Sequence, residues 1–126
     1  MPRIANNAVK ARIDEVVRRI VRECRPEQII LFGSQVQGDA GPDSDIDLLV
    51  VMPISGSKLE AAVAVRRVAG DSPIPLDVIV STPEDFAWRK DVAGTIEWPA
   101  AKEGKVLYDR AQGHRHRHSR MARQSR

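Results

Sequence analysis

Three aspartates stand where this chain would otherwise bury apolar side chains. Asp45 and Asp47 are spaced by one at the head of Asp45-Ile46-Asp47-Leu48-Leu49-Val50-Val51, and Asp77 lies inside Leu76-Asp77-Val78-Ile79-Val80. In an extended strand, residues two apart project from one face with Cα atoms about 6.6 Å apart. Two short carboxylates so placed can converge on one point. Asp77 shares the phase of Ile79, opposite Leu76, Val78 and Val80, so all three acids face one place if the two strands are neighbours. Crowded carboxylates repel and raise one another's pKa unless a cation neutralises them. Mg²⁺ suits such a set, because it takes hard oxygens and keeps positions for waters and substrate phosphates. Two such ions about 3.5–4 Å apart would serve an in-line displacement at phosphorus. Asp77 is then the candidate to deprotonate the incoming nucleophile.

Gly33-Ser34 supplies a second half. A glycine lets the backbone approach a phosphate closely, and the following amides and the Ser34 hydroxyl can donate to its oxygens. Gly38 and Gly41 keep the polar loop between Ser34 and Asp45 compact. Singly these signals are weak, since a Gly-Ser pair is commonly a turn and an Asp-x-Asp pair occurs in solvated loops. Their order along the chain gives them weight.

The elements that must position these residues follow from periodicity. Val9, Ile13, Val16, Val17, Ile20 and Val21 fall at helical spacing, predicting a helix over 7–24 with Asn7 as N-cap and Pro26 just beyond its end. Gln28 to Phe32 is predicted as a buried strand ending at Gly33, and Asp45 to Met52 as a second strand. Ser57-Lys58-Leu59-Glu60 has the form of a capping box before a helix that runs to Ala69 and stops at Gly70. Leu76 to Ser81 is a third strand. Thr82 then caps a helix with Pro83 at its first position. A short helical segment over Trp98–Glu103 and an extended piece over Val106–Tyr108 complete the order. The pattern predicts an α/β domain with helices packed on a small mixed sheet.

With 126 residues the chain has room for one domain. Its net charge of +3 is uneven. Residues 111–126 hold five arginines and no acid, whereas residues 1–110 hold fifteen basic and seventeen acidic residues, a net −2. A basic nucleic-acid-binding domain is therefore not indicated. The expected division is a domain over 1–110 and a disordered basic tail over 111–126, in which His114, His116 and His118 alternate with arginines. That tail is expected to be solvated, with weak salt-sensitive phosphate contact as the second reading. The start lacks an apolar leader and no run approaches a membrane span, so a cytoplasmic protein is expected. The single Cys24 falls on the apolar side of the first helix and is expected to be a small core residue. Lys58, Arg66, Arg67, Arg89 and Lys90 are available to bind phosphate or a partner, and nothing in the sequence selects among them.

The run from Gly33 to Val51, Gly-Ser followed by ten residues and Asp-x-Asp, resembles the signature of the nucleotidyltransferase superfamily that includes DNA polymerase beta. Leu76 to Val80 is similar to that family's third-acid strand. The small size and the ending Glu103-Gly104-Lys105-Val106-Leu107-Tyr108 resemble the minimal nucleotidyltransferases, over roughly residues 10–110. The resemblance implies ATP as substrate with two Mg²⁺ ions, and transfer of AMP to an acceptor hydroxyl with release of pyrophosphate. Carried over by position, it implies that Gly33 and Ser34 hold the triphosphate, Asp45 and Asp47 the metals, and Asp77 a metal and the attacking oxygen.

Minimal members are often antitoxins that adenylylate a tyrosine of a HEPN-type ribonuclease toxin, and that toxin is the expected partner here. Many members carry arginines after Gly-Ser, where this chain has Gln35 and Gln37. Two alternatives stand beside this expectation. One is transfer to a small hydroxylated molecule such as an aminoglycoside, although enzymes of that sort carry a further domain. The other is a non-catalytic antitoxin that neutralises its partner by docking.

Overall fold

The computed structural model describes residues 2–33, 45–71 and 74–112, with side chains from Ala8 onward. A long helix α1 (Pro2–Cys24) leads into strand β1 (Gln28–Phe32); β2 (Ile46–Val51) follows, then α2 (Lys58–Ala69) and β3 (Leu76–Ser81). Two short helices, α3 (Pro83–Arg89) and α4 (Glu97–Glu103), precede β4 (Lys105–Asp109) and a 3₁₀ turn at Arg110–Gln112.

The four strands form one mixed sheet in the order β3-β2-β1-β4. β1 pairs antiparallel with β2 and β4, while β2 and β3 are parallel and in register from Ile46↔Leu76 to Val51↔Ser81. The parallel pair requires a crossover, which α2 supplies. Period-two alternation assigns the strand residues to two faces. Ile29, Leu31, Ile46, Leu48, Val50, Val78 and Val80 pack under Val9, Ile13, Val16 and Ile20 of α1 and Val65 and Ala69 of α2. Ile30, Leu49 and Val51 pack on the other side with Ala100, bordered by Phe32, Ile79 and Phe86.

Local signals explain most boundaries. The Ser57–Glu60 capping box forms on both sides, and Gly70 ends α2 at φ 85°. The Thr82 side chain accepts from the Asp85 N–H, with Pro83 in the first turn of α3. Four expectations need correction, the first being the second strand, which spans Ile46–Val51 rather than Asp45 to Met52. The first helix begins at Pro2 rather than after an Asn7 cap, because proline is accommodated in a first helical turn and no breaker lies between it and Asn7. α4 begins at Glu97, one residue before Trp98, and β4 extends to Lys105 and Asp109 on either side of the expected piece. Cys24 is half-buried against the core, as its helical phase predicts, and burial pushes its thiol pKa up. Among the described residues no helix is long and apolar enough to cross a membrane. The histidine-arginine tail from residue 113 lies outside the described residues.

Candidate active site

The three aspartates meet at one end of the parallel strand pair. Asp45 stands just before β2, Asp47 is its second residue, and Asp77 is the second residue of β3. The in-register parallel pairing makes Asp47 and Asp77 direct neighbours, and antiparallel pairing sets Phe32 of β1 on the other side of Asp47. One carboxylate oxygen from each aspartate lies within 4.8 Å of the other two. Asp45 and Asp77 are exposed and Asp47 is half-buried between them.

The electrostatics follow from this crowding. Burial pushes the Asp47 carboxyl pKa up, and the negative charges of Asp77 and Asp45, with a hydrogen bond to Asp77, push it further. A divalent cation among the three would relieve that repulsion. The donor set is entirely carboxylate oxygen, the hard type that Mg²⁺ takes and that softer metals favour less. The residues therefore fit a magnesium site.

Gly33 closes the site from β1. Its backbone adopts φ 82°, the left-handed region that glycine enters without steric cost. A Cβ there would fall on Oδ2 of Asp47. The glycine thus serves two needs, a turn out of β1 and space for the central carboxylate. Ser34, Gln35 and Gln37 lie outside the described residues.

At the opposite end of β3 from Asp77, on the same side of the sheet, is a buried polar group that the sequence did not disclose. Glu97 is 2% exposed. It accepts a hydrogen bond from Ser81 Oγ at 2.9 Å and an ion-paired one from Arg89 Nε at 3.0 Å. Burial opposes ionisation of Glu97, but the Arg89 and Ser81 bonds outweigh it and hold the pKa below the usual glutamate value. The group ties the start of α4 to the end of β3 and to α3. An acid inside the apolar run Ile96-Glu97-Trp98 was the available signal, of the same kind that singles out Asp77.

The family model described as "Nucleotidyltransferase domain" matches residues 12–102, a span that contains Gly33, all three aspartates and Glu97. No curated protein sequence matches the chain. In structure it is similar to the crystal structure of a "putative nucleotidyltransferase" from Sulfolobus solfataricus, at 21% identity and a TM-score of 0.51, covering 81% of this chain and 90% of that one. At that identity the likeness speaks for the fold alone.

Proposed function

Because this chain belongs to the nucleotidyltransferase domain family, with most of its length inside the match, we propose that it moves AMP from ATP to a protein hydroxyl and so acts as an antitoxin. The expected acceptor is a tyrosine of a HEPN-type ribonuclease toxin. The observation that carries the reading is the convergence of Asp45, Asp47 and Asp77 beside Gly33. When bound, divalent magnesium would neutralise the triphosphate and the charge that develops during displacement.

Each residue has a distinct part in this reading. Asp45, Asp47 and Asp77 are the residues that would hold the cations. Asp77, on the edge strand, accepts the proton of the acceptor hydroxyl as that oxygen attacks the α-phosphorus. The new bond joins oxygen to phosphorus, the bond to the β-phosphate oxygen breaks, and pyrophosphate leaves with that electron pair. Gly33 keeps a side chain away from Asp47 and from the approaching phosphates.

Incubation of the protein with ATP, Mg²⁺ and the toxin tests the reading. A mass increase of one AMP on a toxin tyrosine, abolished in Asp45→Asn/Asp47→Asn, is the expected result. Neutralisation of the toxin by that double variant with no added mass would instead support docking alone. ATP-dependent loss of activity of an aminoglycoside, with the toxin unmodified, would move the acceptor to a small molecule.

A further inference from the structure

The five basic residues that the sequence leaves equivalent are separated by their partners. Lys58 pairs with Asp85 at 2.5 Å, Arg89 with Glu97 at 3.0 Å and Lys90 with Asp91 at 3.2 Å. Arg66 and Arg67, both exposed in the last turn of α2, have no ion-pair partner among the described residues. They line a cleft of about 390 Å³ whose other walls include Val63, Asp71, Pro75 and Leu76.

That cleft adjoins the acidic centre. The Ile46 N–H donates to the Pro75 carbonyl at 2.9 Å, and Ile46 and Leu76 are register partners. Pro75 and Leu76 are thus next to Asp45 and Asp77 along the strands, with the Leu76 side chain on the α1 and α2 side of the sheet and the aspartates on the other. Among the described residues β3 is an edge strand paired only with β2, so the way from the cleft to Asp77 crosses the edge of the sheet. Along α2, one and two turns before the arginines, Val63 is 47% exposed and Leu59 is 76% exposed. Spacings of three and four place these four side chains on one helix flank.

We propose that this flank seats the acceptor, as an acidic protein segment that also carries apolar side chains. Its carboxylates pair with Arg66 and Arg67, its apolar residues cover Val63 and Leu59, and its hydroxyl is held beside Asp77. The inference rests on the protein-hydroxyl reading given above. Two features favour a polypeptide over a nucleic acid. A phosphate chain gains nothing from the exposed Leu59 and Val63 of this flank. Residues 1–110 also carry a net −2, which gives no general attraction for a polyanion. The two arginines are a local exception suited to a few carboxylates.

The test uses the full chain and a labelled peptide with one tyrosine flanked by glutamates and leucines, beside a twin with lysine for each glutamate. Binding is read by fluorescence anisotropy and AMP transfer by mass. The acidic peptide is expected to bind about tenfold more tightly than its twin, through two partly exposed charge pairs. Arg66→Glu/Arg67→Glu should reverse that preference. Arg66→Gln/Arg67→Gln, which removes charge without adding any, should abolish it, with the loss of transfer appearing in KM rather than in kcat. Equal binding of both peptides, or variants that bind as the parent does, would overturn the proposal. So would an RNA oligonucleotide that displaces the acidic peptide and itself depends on both arginines. Transfer of AMP to the toxin without any selectivity for the acidic peptide removes the docking surface alone. Selective binding without AMP transfer to peptide or toxin overturns the acceptor role together with the reading beneath it.

Discussion

Along β2 the side chains divide between two faces that are furnished differently. Ile46, Leu48 and Val50 enter a broad apolar layer beneath α1 and α2, where Val16, Ile20 and Val65 are fully buried. Asp47, Leu49 and Val51 point to the other face, where a smaller cluster is covered by short helices and bordered by Phe86 and Ile79. The first face holds the sheet together over its whole length. The second is apolar only toward the C-terminal ends of the parallel strands and leaves carboxylates at their starts. The difference shows how one strand can anchor a fold and carry charge: the deep face supplies the burial that keeps three mutually repelling acids in register.

The comparison can be broken most directly at the acids. Replacing Asp47 or Asp77 with Asn should lower AMP transfer by on the order of 10³-fold while leaving the thermal unfolding transition cooperative. A folded variant with near-parent turnover would show that the thinly covered face is not where the chemistry occurs. On the deep face, Leu48→Ala should cost about 3 kcal/mol in urea unfolding. Leu49→Ala, equally buried but in the smaller cluster, should cost about 2 kcal/mol because its surroundings can relax. Equal losses would erase the distinction between the faces.

A gentler probe lies at Glu97. Glu97→Gln keeps the shape but removes the charge that Arg89 and Ser81 bind, and should cost about 2 kcal/mol at neutral pH. The sign of its pH dependence is fixed by the lowered folded-state pKa. The stabilisation is present above the unfolded glutamate pKa and is lost as pH falls through the lower folded value. The variant should therefore lose less stability than the parent over that acidic interval.

Asp47 should give the smallest effect on stability, and one of opposite sense. Its folded-state pKa is raised, so its contribution is favourable below the unfolded aspartate pKa and is lost as pH rises through the folded value. In chelator at neutral pH, Asp47→Asn should raise the melting temperature by about 2 °C. Mg²⁺ should stabilise the parent and not the variant, because a ligand that binds only the folded state shifts unfolding by mass action. A parent indifferent to Mg²⁺ would remove the metal from the site.

Much of this arrangement was legible in the residues, for local reasons. The capping box at Ser57, the Thr82-Pro83 start and the stop at Gly70 depend on neighbours in sequence, and they form as expected. The phase of each aspartate along its strand is likewise local. That β3 lies beside β2, and parallel to it, is a tertiary fact that sequence alone could state only as a condition. The Glu97 group was missed because its partners lie eight and sixteen residues away on elements whose packing no periodicity reveals. The equivalence of the five basic residues was broken by contacts of the same kind.

The pairing of Asp47 with Asp77 has a consequence for how the chain assembles. The two acids are thirty residues apart in sequence and meet only when the parallel ladder has closed across α2. An unfolded chain offers a divalent ion the local Asp45-x-Asp47 pair but not the third carboxylate. Ion affinity is thereby coupled to loop closure, whose entropic cost is met before the long-range contact forms. Magnesium titration would thus report on completion of the topology as much as on readiness of the chemistry, with binding energy drawn directly into folding.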